Sequence, residues 1–293
     1  MSNPYPDHTL IFMHIPKAGG MSMRQVMARQ VIGQPAYLFN TLNTYSIDRF
    51  VEKPQAERDA LRYVGGHIQF GVHRFINNPS VYVTMFRDPR EHLISFYYFF
   101  RKTPSAWAYD LIKDKSFEEF LQMRRMQTIQ LNYTVGFDEE PHPEHGGIGA
   151  KRNYSLPVEE RIALAEQNIR QHYGAIGLTD RFDESMVIMR QRMGWKNVHY
   201  LYKHYNKGRP RGEETGDIKA MVEHYAQPDI QFYERMKAIY AEQRAAYGPT
   251  LATDLRTYQR NKAIYNRIAG MSQSLRETGI YRRLRVMSAN RSS

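Results

Sequence analysis

A chain of 293 residues with 41 Lys and Arg against 30 Asp and Glu carries a net charge of +11, which favours anionic partners without choosing among them. Its 42% hydrophobic and 13% aromatic content exclude general disorder, and the length suits one large domain or two small ones. The absence of cysteine excludes disulfides, a thiolate metal site and a cysteine nucleophile, and suits a reducing compartment.

The N-terminus lacks a basic segment followed by an apolar run, so no signal peptide is expected there. The longest apolar stretch, Leu93 to Phe100, is interrupted by Ser95 and is too short to span a bilayer. A cytoplasmic protein, soluble or peripheral at the membrane, is the expectation.

Leu10 to Phe12 reads as a buried strand, followed by the tight turn Pro16-Lys17-Ala18-Gly19-Gly20 and a helix from Met21 to Met27. Strand, glycine turn and helix N-terminus together form an anion site, because freed N–H groups and the helix dipole face the ligand. Lys17 adds a mobile charge and Ser22 a hydroxyl. The loop is not the nucleotide-binding GxxxxGK[ST] pattern, since Lys17 precedes both glycines.

Residues 31 to 62 read as a helix-rich connection. Tyr63 and Val64 then lead as a short strand into Gly65-Gly66-His67. A histidine at the carboxyl end of a strand sits where open α/β sheets place ligand contacts, and its pKa suits proton abstraction. His73 competes with His67 for that role.

Val81 to Phe86 is a strand rich in β-branched and aromatic residues, with Arg87-Asp88-Pro89 directly after it. Pro89 fits the first turn of a following helix. Arg87 would then stand at a strand end, able to hold a phosphate through two parallel hydrogen bonds, with Ser95 two turns into the helix. The plainer alternative is an Arg87–Asp88 ion pair.

Ser116 and Glu119 form a capping box for a further helix. Residues 137 to 155, rich in Pro, Gly and His, read as a surface loop rather than a metal site at His142 and His145. A helix follows over 157 to 173, then the strand Ala175 to Leu178 and a helix from Asp183 to Met193. This alternation predicts an α/β fold, three-layer α/β/α, with a central parallel sheet flanked by helices. Lys203, Lys207, Arg209 and Arg211 form a basic loop, and residues 217 to 247 form two helices around Pro228.

After Pro249 the chain has nine Lys and Arg against Asp254 and Glu277, with Ile264, Ile268, Met271 and Leu275 at helical spacing. Such a segment can lie on an anionic membrane or pack on the domain as a terminal helix. The expected division is a catalytic domain at 1–249 and a basic helical extension at 250–293.

These pieces together resemble the sulfotransferases that use 3′-phosphoadenosine 5′-phosphosulfate, in the branch that includes heparan sulfate 2-O-sulfotransferases and bacterial relatives. The likeness lies in HIPKAGG-x-S at 14 to 22, in Arg87-Asp88-Pro89 with Ser95, in GLTDRFDES at 177 to 185 and in YNKGRP at 205 to 210. It implies a P-loop-like fold and sulfuryl transfer to a hydroxyl or amine of a glycan, lipid headgroup or metabolite.

By position, Lys17 would stabilise the leaving phosphate, while Ala18, Gly19, Gly20, Met21, Ser22 and Met23 would hold the 5′-phosphosulfate. Arg87 and Ser95 would bind the 3′-phosphate, Lys207 and Arg209 would close over the nucleotide, and His67 would be the base. No metal and no specific nucleic acid are implied. The chain departs from the pattern at Met21, where threonine is usual, and at His92, where arginine is frequent. Two rivals are a P-loop-like nucleotide kinase and a non-enzymatic binder of anionic membrane or nucleic acid.

Overall fold

The computed structural model describes residues 3–39, 47–106, 108–123, 126–137, 155–195 and 216–277. Its centre is a five-stranded sheet in the order β2-β3-β1-β4-β5, built from β1 (Thr9–Met13), β2 (Ala36–Phe39), β3 (Tyr63–Gly66), β4 (Ser80–Phe86) and β5 (Tyr173–Leu178). Each neighbouring pair is parallel. Parallel strands need crossovers, and helices supply most of them: α1 (Gly20–Gln30), α2 (Ile47–Val51) and α3 (Gln55–Asp59) among the first strands, then α4 (Pro89–Lys102), α5 (Tyr109–Ile112), α6 (Phe117–Gln122), α7 (Ile129–Val135) and α8 (Val158–His172) before β5. After β5 come α9 (Phe182–Met193), α10 (Gly216–Tyr225), α11 (Gln227–Tyr247) and α12 (Leu251–Glu277).

The central strands are buried along nearly their whole length, residue after residue. Continuous burial, rather than alternation, means that both faces are covered, so the architecture is the three-layer α/β/α sandwich expected. The edge strand β2 was read as part of a helical connection. It has only four residues, and the strand-favouring Tyr37 and Phe39 flank a solvent-facing Leu38, too short a stretch for a clear strand signature.

Helix α4 starts where Pro89 fits the first turn, and Asp88 caps it by accepting the Arg90 N–H at 2.9 Å. Asp88 pairs with the Arg90 side chain, and Arg87 with Glu91, in place of the Arg87–Asp88 contact considered from sequence. Leu93, Phe96, Tyr97 and Phe100 recur at helical spacing and bury against α5, α6 and α10 in a second apolar cluster. Each such side chain stabilises the fold by about 1.5–3 kcal/mol through burial. The Ser116–Glu119 capping box forms, with both reciprocal hydrogen bonds in place.

Helix α12 packs on the domain through Leu251, Leu255 and Tyr258, and Lys262 pairs with Asp183 of α9. Ile264 and Ile268, read from their spacing as one apolar face, are turned to solvent. Among the described residues no helix is long and apolar enough to cross a membrane.

Candidate active site

Strands β3, β1 and β4 are adjacent, and their carboxyl ends carry His67, the Pro16–Gly20 loop and Arg87 respectively. The chain goes from β1 outward to β2, returns to β3, then crosses to β4 on the other side. Open α/β sheets place their ligand crevice at such a reversal. Three separate segments are thereby brought to one end of three neighbouring strands.

The loop has a demanding backbone. Lys17 adopts φ +65°, the left-handed region that a side chain disfavours, and Gly19 follows at φ +75°. Carbonyl contacts hold the turn in place. The Arg87 guanidinium donates to the Lys17 carbonyl at 3.1 Å, and His92 Nε2–H donates to the Pro16 carbonyl at 2.7 Å. Burial holds the His92 pKa at about 4, so the ring is neutral and the carbonyl contact fixes its tautomer. The departure from arginine at His92 thus leaves a donor on the loop.

Gly19 stands at the N-cap of α1 and offers no side chain, and the first turn contains no acid. Its leading N–H groups have no partner within the helix by construction, so they are available to an anion. Gly20 is required by close approach: a Cβ there would lie 1.4 Å from His14 Nε2. Ala18 and Met23 are buried below the loop, Ser22 is half-buried, and Met21 faces solvent.

Lys17 and Arg87 are neighbouring cations. Burial first, and Arg87 second, lower the Lys17 pKa. An anion would relieve both effects. The ammonium lies 4.1 Å from the centre of the Phe99 ring, a cation–π contact. Arg87 also pairs with Glu91 at 3.5 Å. Ser95 lies on α4 with its side chain half-buried.

His67 Nδ1–H donates to the His14 carbonyl at 3.1 Å. That bond leaves Nε2 as the lone-pair nitrogen, the form a base requires. Burial lowers the His67 pKa to about 4, with Arg24 adding to the effect and the carbonyl contact opposing it. The ring stacks on His14 at 4.1 Å between centroids, and burial also lowers the His14 pKa well below its ordinary value. His14 was legible only as part of the loop motif. Its stacking place beside His67 comes from the pairing of β1 with β3.

His73 is placed elsewhere. Its Nδ1 meets the buried Tyr82 hydroxyl at 2.9 Å, and its ring lies 4.6 Å from that of His172. Lys207 and Arg209 lie outside the described residues, as does most of the 137–155 loop.

The family model for galactose-3-O-sulfotransferases matches residues 40–278. The chain belongs to that family. His67, Arg87 and Ser95 of this galactose-3-O-sulfotransferase family member fall inside the matched stretch, and the Lys17 loop precedes it. No curated protein matches the chain by sequence. A solved structure of mouse sulfotransferase SULT7A1 complexed with PAP is similar over 74% of this family member and 64% of that chain, at 11% identity and a TM-score of 0.37. The chain thus spans about two thirds of the length of that neighbour.

Proposed function

We propose that this family member transfers the sulfuryl group of 3′-phosphoadenosine 5′-phosphosulfate to a hydroxyl of a glycan. The observation that carries the reading is the convergence of Lys17, His67 and Arg87 at the carboxyl ends of three adjacent parallel strands. The donor has two anionic ends, and the site offers two anion-binding elements. The uncapped start of α1 with Lys17 suits the phosphosulfate end, and Arg87 with Ser95 suits the 3′-phosphate.

His67 Nε2 accepts the proton of the acceptor hydroxyl as that oxygen bonds to sulfur. The bond from sulfur to the 5′-phosphate oxygen breaks, and Lys17 with the N–H groups of α1 neutralises the charge that develops on the leaving phosphate. A pKa near 4 keeps His67 neutral at pH 7, and the negative donor raises its basicity on arrival. The glycan acceptor is supported by the family's description, and the motif likeness to heparan sulfate 2-O-sulfotransferases points the same way. Further proposals are that Lys207 and Arg209 close over the nucleotide, that no metal takes part, and that the basic C-terminal helix touches a membrane surface.

Titration calorimetry tests the reading. The expected result is tight binding of 3′,5′-adenosine bisphosphate, weak binding of ATP with Mg²⁺, and loss of the bisphosphate in Arg87→Ala. If the bisphosphate does not bind the wild-type protein, the reading is wrong. Incubation with labelled donor and galactose-terminated glycans then identifies the acceptor.

A further inference from the structure

We propose that Gln130 is a positioning residue for donor recognition: it fixes the main chain of Arg87 and so aims that guanidinium at the 3′-phosphate. The proposal rests on the assignment of Arg87 given above.

Arg87 sits where one element has ended and the next has not begun. The pairing of β4 with β5 stops at Phe86 opposite Leu178, and α4 starts at Pro89. A residue in such a gap has no ladder or helix to fix it. Gln130 fills that role with its side-chain amide. Its Oε1 accepts from the Arg87 N–H at 2.9 Å, and its Nε2 donates to the Arg87 carbonyl at 2.8 Å. The amide behaves as one residue of an added strand, and only this orientation satisfies both partners.

Gln130 is itself fully buried and held from several sides. Its main-chain N–H donates to Asp229 of α11 at 3.1 Å, and that of Leu131 donates to the same carboxylate at 2.9 Å. Thr134 donates to its carbonyl at 2.9 Å. Burying an amide is costly unless it is paired, and an apolar side chain here would take a partner from the Arg87 N–H and carbonyl. Here the amide oxygen and nitrogen both bond to the main chain of the one residue that carries the guanidinium.

The test compares 3′,5′-adenosine bisphosphate with 5′-AMP, which lacks the 3′-phosphate, on wild type, Arg87→Ala, Gln130→Met and Gln130→Glu. Methionine keeps the length and loses both hydrogen bonds. Gln130→Met is expected to weaken the bisphosphate about tenfold, roughly the worth of one hydrogen bond to a charged group, and 5′-AMP less than about twofold. The donor KM rises in parallel while kcat stays within about twofold.

In Gln130→Glu the ionised oxygen faces the Arg87 carbonyl and repels it. Protonation converts that oxygen to a donor, so bisphosphate affinity relative to wild type recovers as pH falls from 8 to 6. Asp229 on α11, Arg161 on α8 and Glu91 on α4 shift the pH at which this recovery occurs without reversing its direction. Equal weakening of both nucleotides, or no recovery of Gln130→Glu at low pH, overturns the proposal. If Gln130→Met does not fold, the Gln130→Glu titration decides alone. Loss of the bisphosphate preference in Arg87→Ala but not in Gln130→Met also overturns it while leaving the assignment of Arg87 standing. Retention of the preference in Arg87→Ala instead removes the assignment of Arg87.

Discussion

Among the described residues two pairs of histidine rings lie in contact, and they differ in what their nitrogens touch. His67 stacks on His14 at 4.1 Å, and His73 lies tilted against His172 at 4.6 Å. Burial lowers His67 and His73 alike to about 4. Residue type, pairing and pKa therefore do not distinguish them. Hydrogen bonding does. His67 engages a main-chain carbonyl through Nδ1, which leaves Nε2 as the lone-pair nitrogen. His73 Nδ1 instead meets the Tyr82 hydroxyl, which also accepts N–H groups from Gly71 at 3.2 Å and His73 at 3.1 Å. The hydroxyl that accepts twice is free to donate once, and His73 Nδ1 takes that proton. The second pair is a closed structural unit, the first an open one.

The largest expected effect breaks the comparison directly. His67→Ala reduces turnover by about 10²–10⁴-fold while bisphosphate affinity stays within about twofold. His73→Ala lowers the melting temperature and leaves turnover of the folded protein within a few-fold. Steady-state kinetics beside calorimetry checks both, and the reverse pattern would exchange the roles of the two histidines.

A smaller effect concerns acid. His67, His73 and His92 are each held near 4 in the fold, against an ordinary value near 6.5 in the unfolded chain. Between those values the unfolded chain binds protons that the fold refuses, so stability is lost as pH falls from about 6.5 toward 4. The loss is on the order of 2–3 kcal/mol for each histidine. Asp229 runs the other way. Burial raises it to about 7, so it contributes stability as pH falls below that value. Burial also lowers His14 and His172, so the balance is a net loss, and urea unfolding between pH 7.5 and 4.5 should show it. A flat profile would mean that the histidines are not held neutral.

The smallest effect sharpens the contrast. Tyr82→Phe strands the Gly71 and His73 N–H groups and costs about 1–3 kcal/mol of stability with unchanged turnover per folded molecule. Denaturation and activity measured on one preparation separate the two, and a loss of activity matching the loss of stability would count against a purely structural second pair.

The sequence exposed what local pattern can encode. The turn chemistry at Pro16–Gly20, the cap at Asp88 and Pro89, and the apolar strands β1, β3, β4 and β5 all follow from neighbouring residues. Contacts made across the chain stayed hidden. Gln130 is one amide in an unremarkable helix, and its capping partner Asp229 lies far along the chain. His92 reads as a deviation until its ring is seen on the Pro16 carbonyl. The stripe at Ile264 and Ile268 has good helical spacing, yet the face that docks is set by Leu251, Tyr258 and the Lys262–Asp183 pair.

The order β2-β3-β1-β4-β5 has a practical consequence. All three candidate site segments leave from the middle strip, which Thr84 stitches to Met13 by a buried hydrogen bond at 2.7 Å. The outer strands β2 and β5 carry none of them, although β2 pairs with β3 up to Gly66 and β5 pairs with β4 up to Phe86. Designers seeking a new acceptor preference can therefore vary solvent-facing positions of the edge strand, such as Leu38, while the strands that carry the reacting groups keep their pairing.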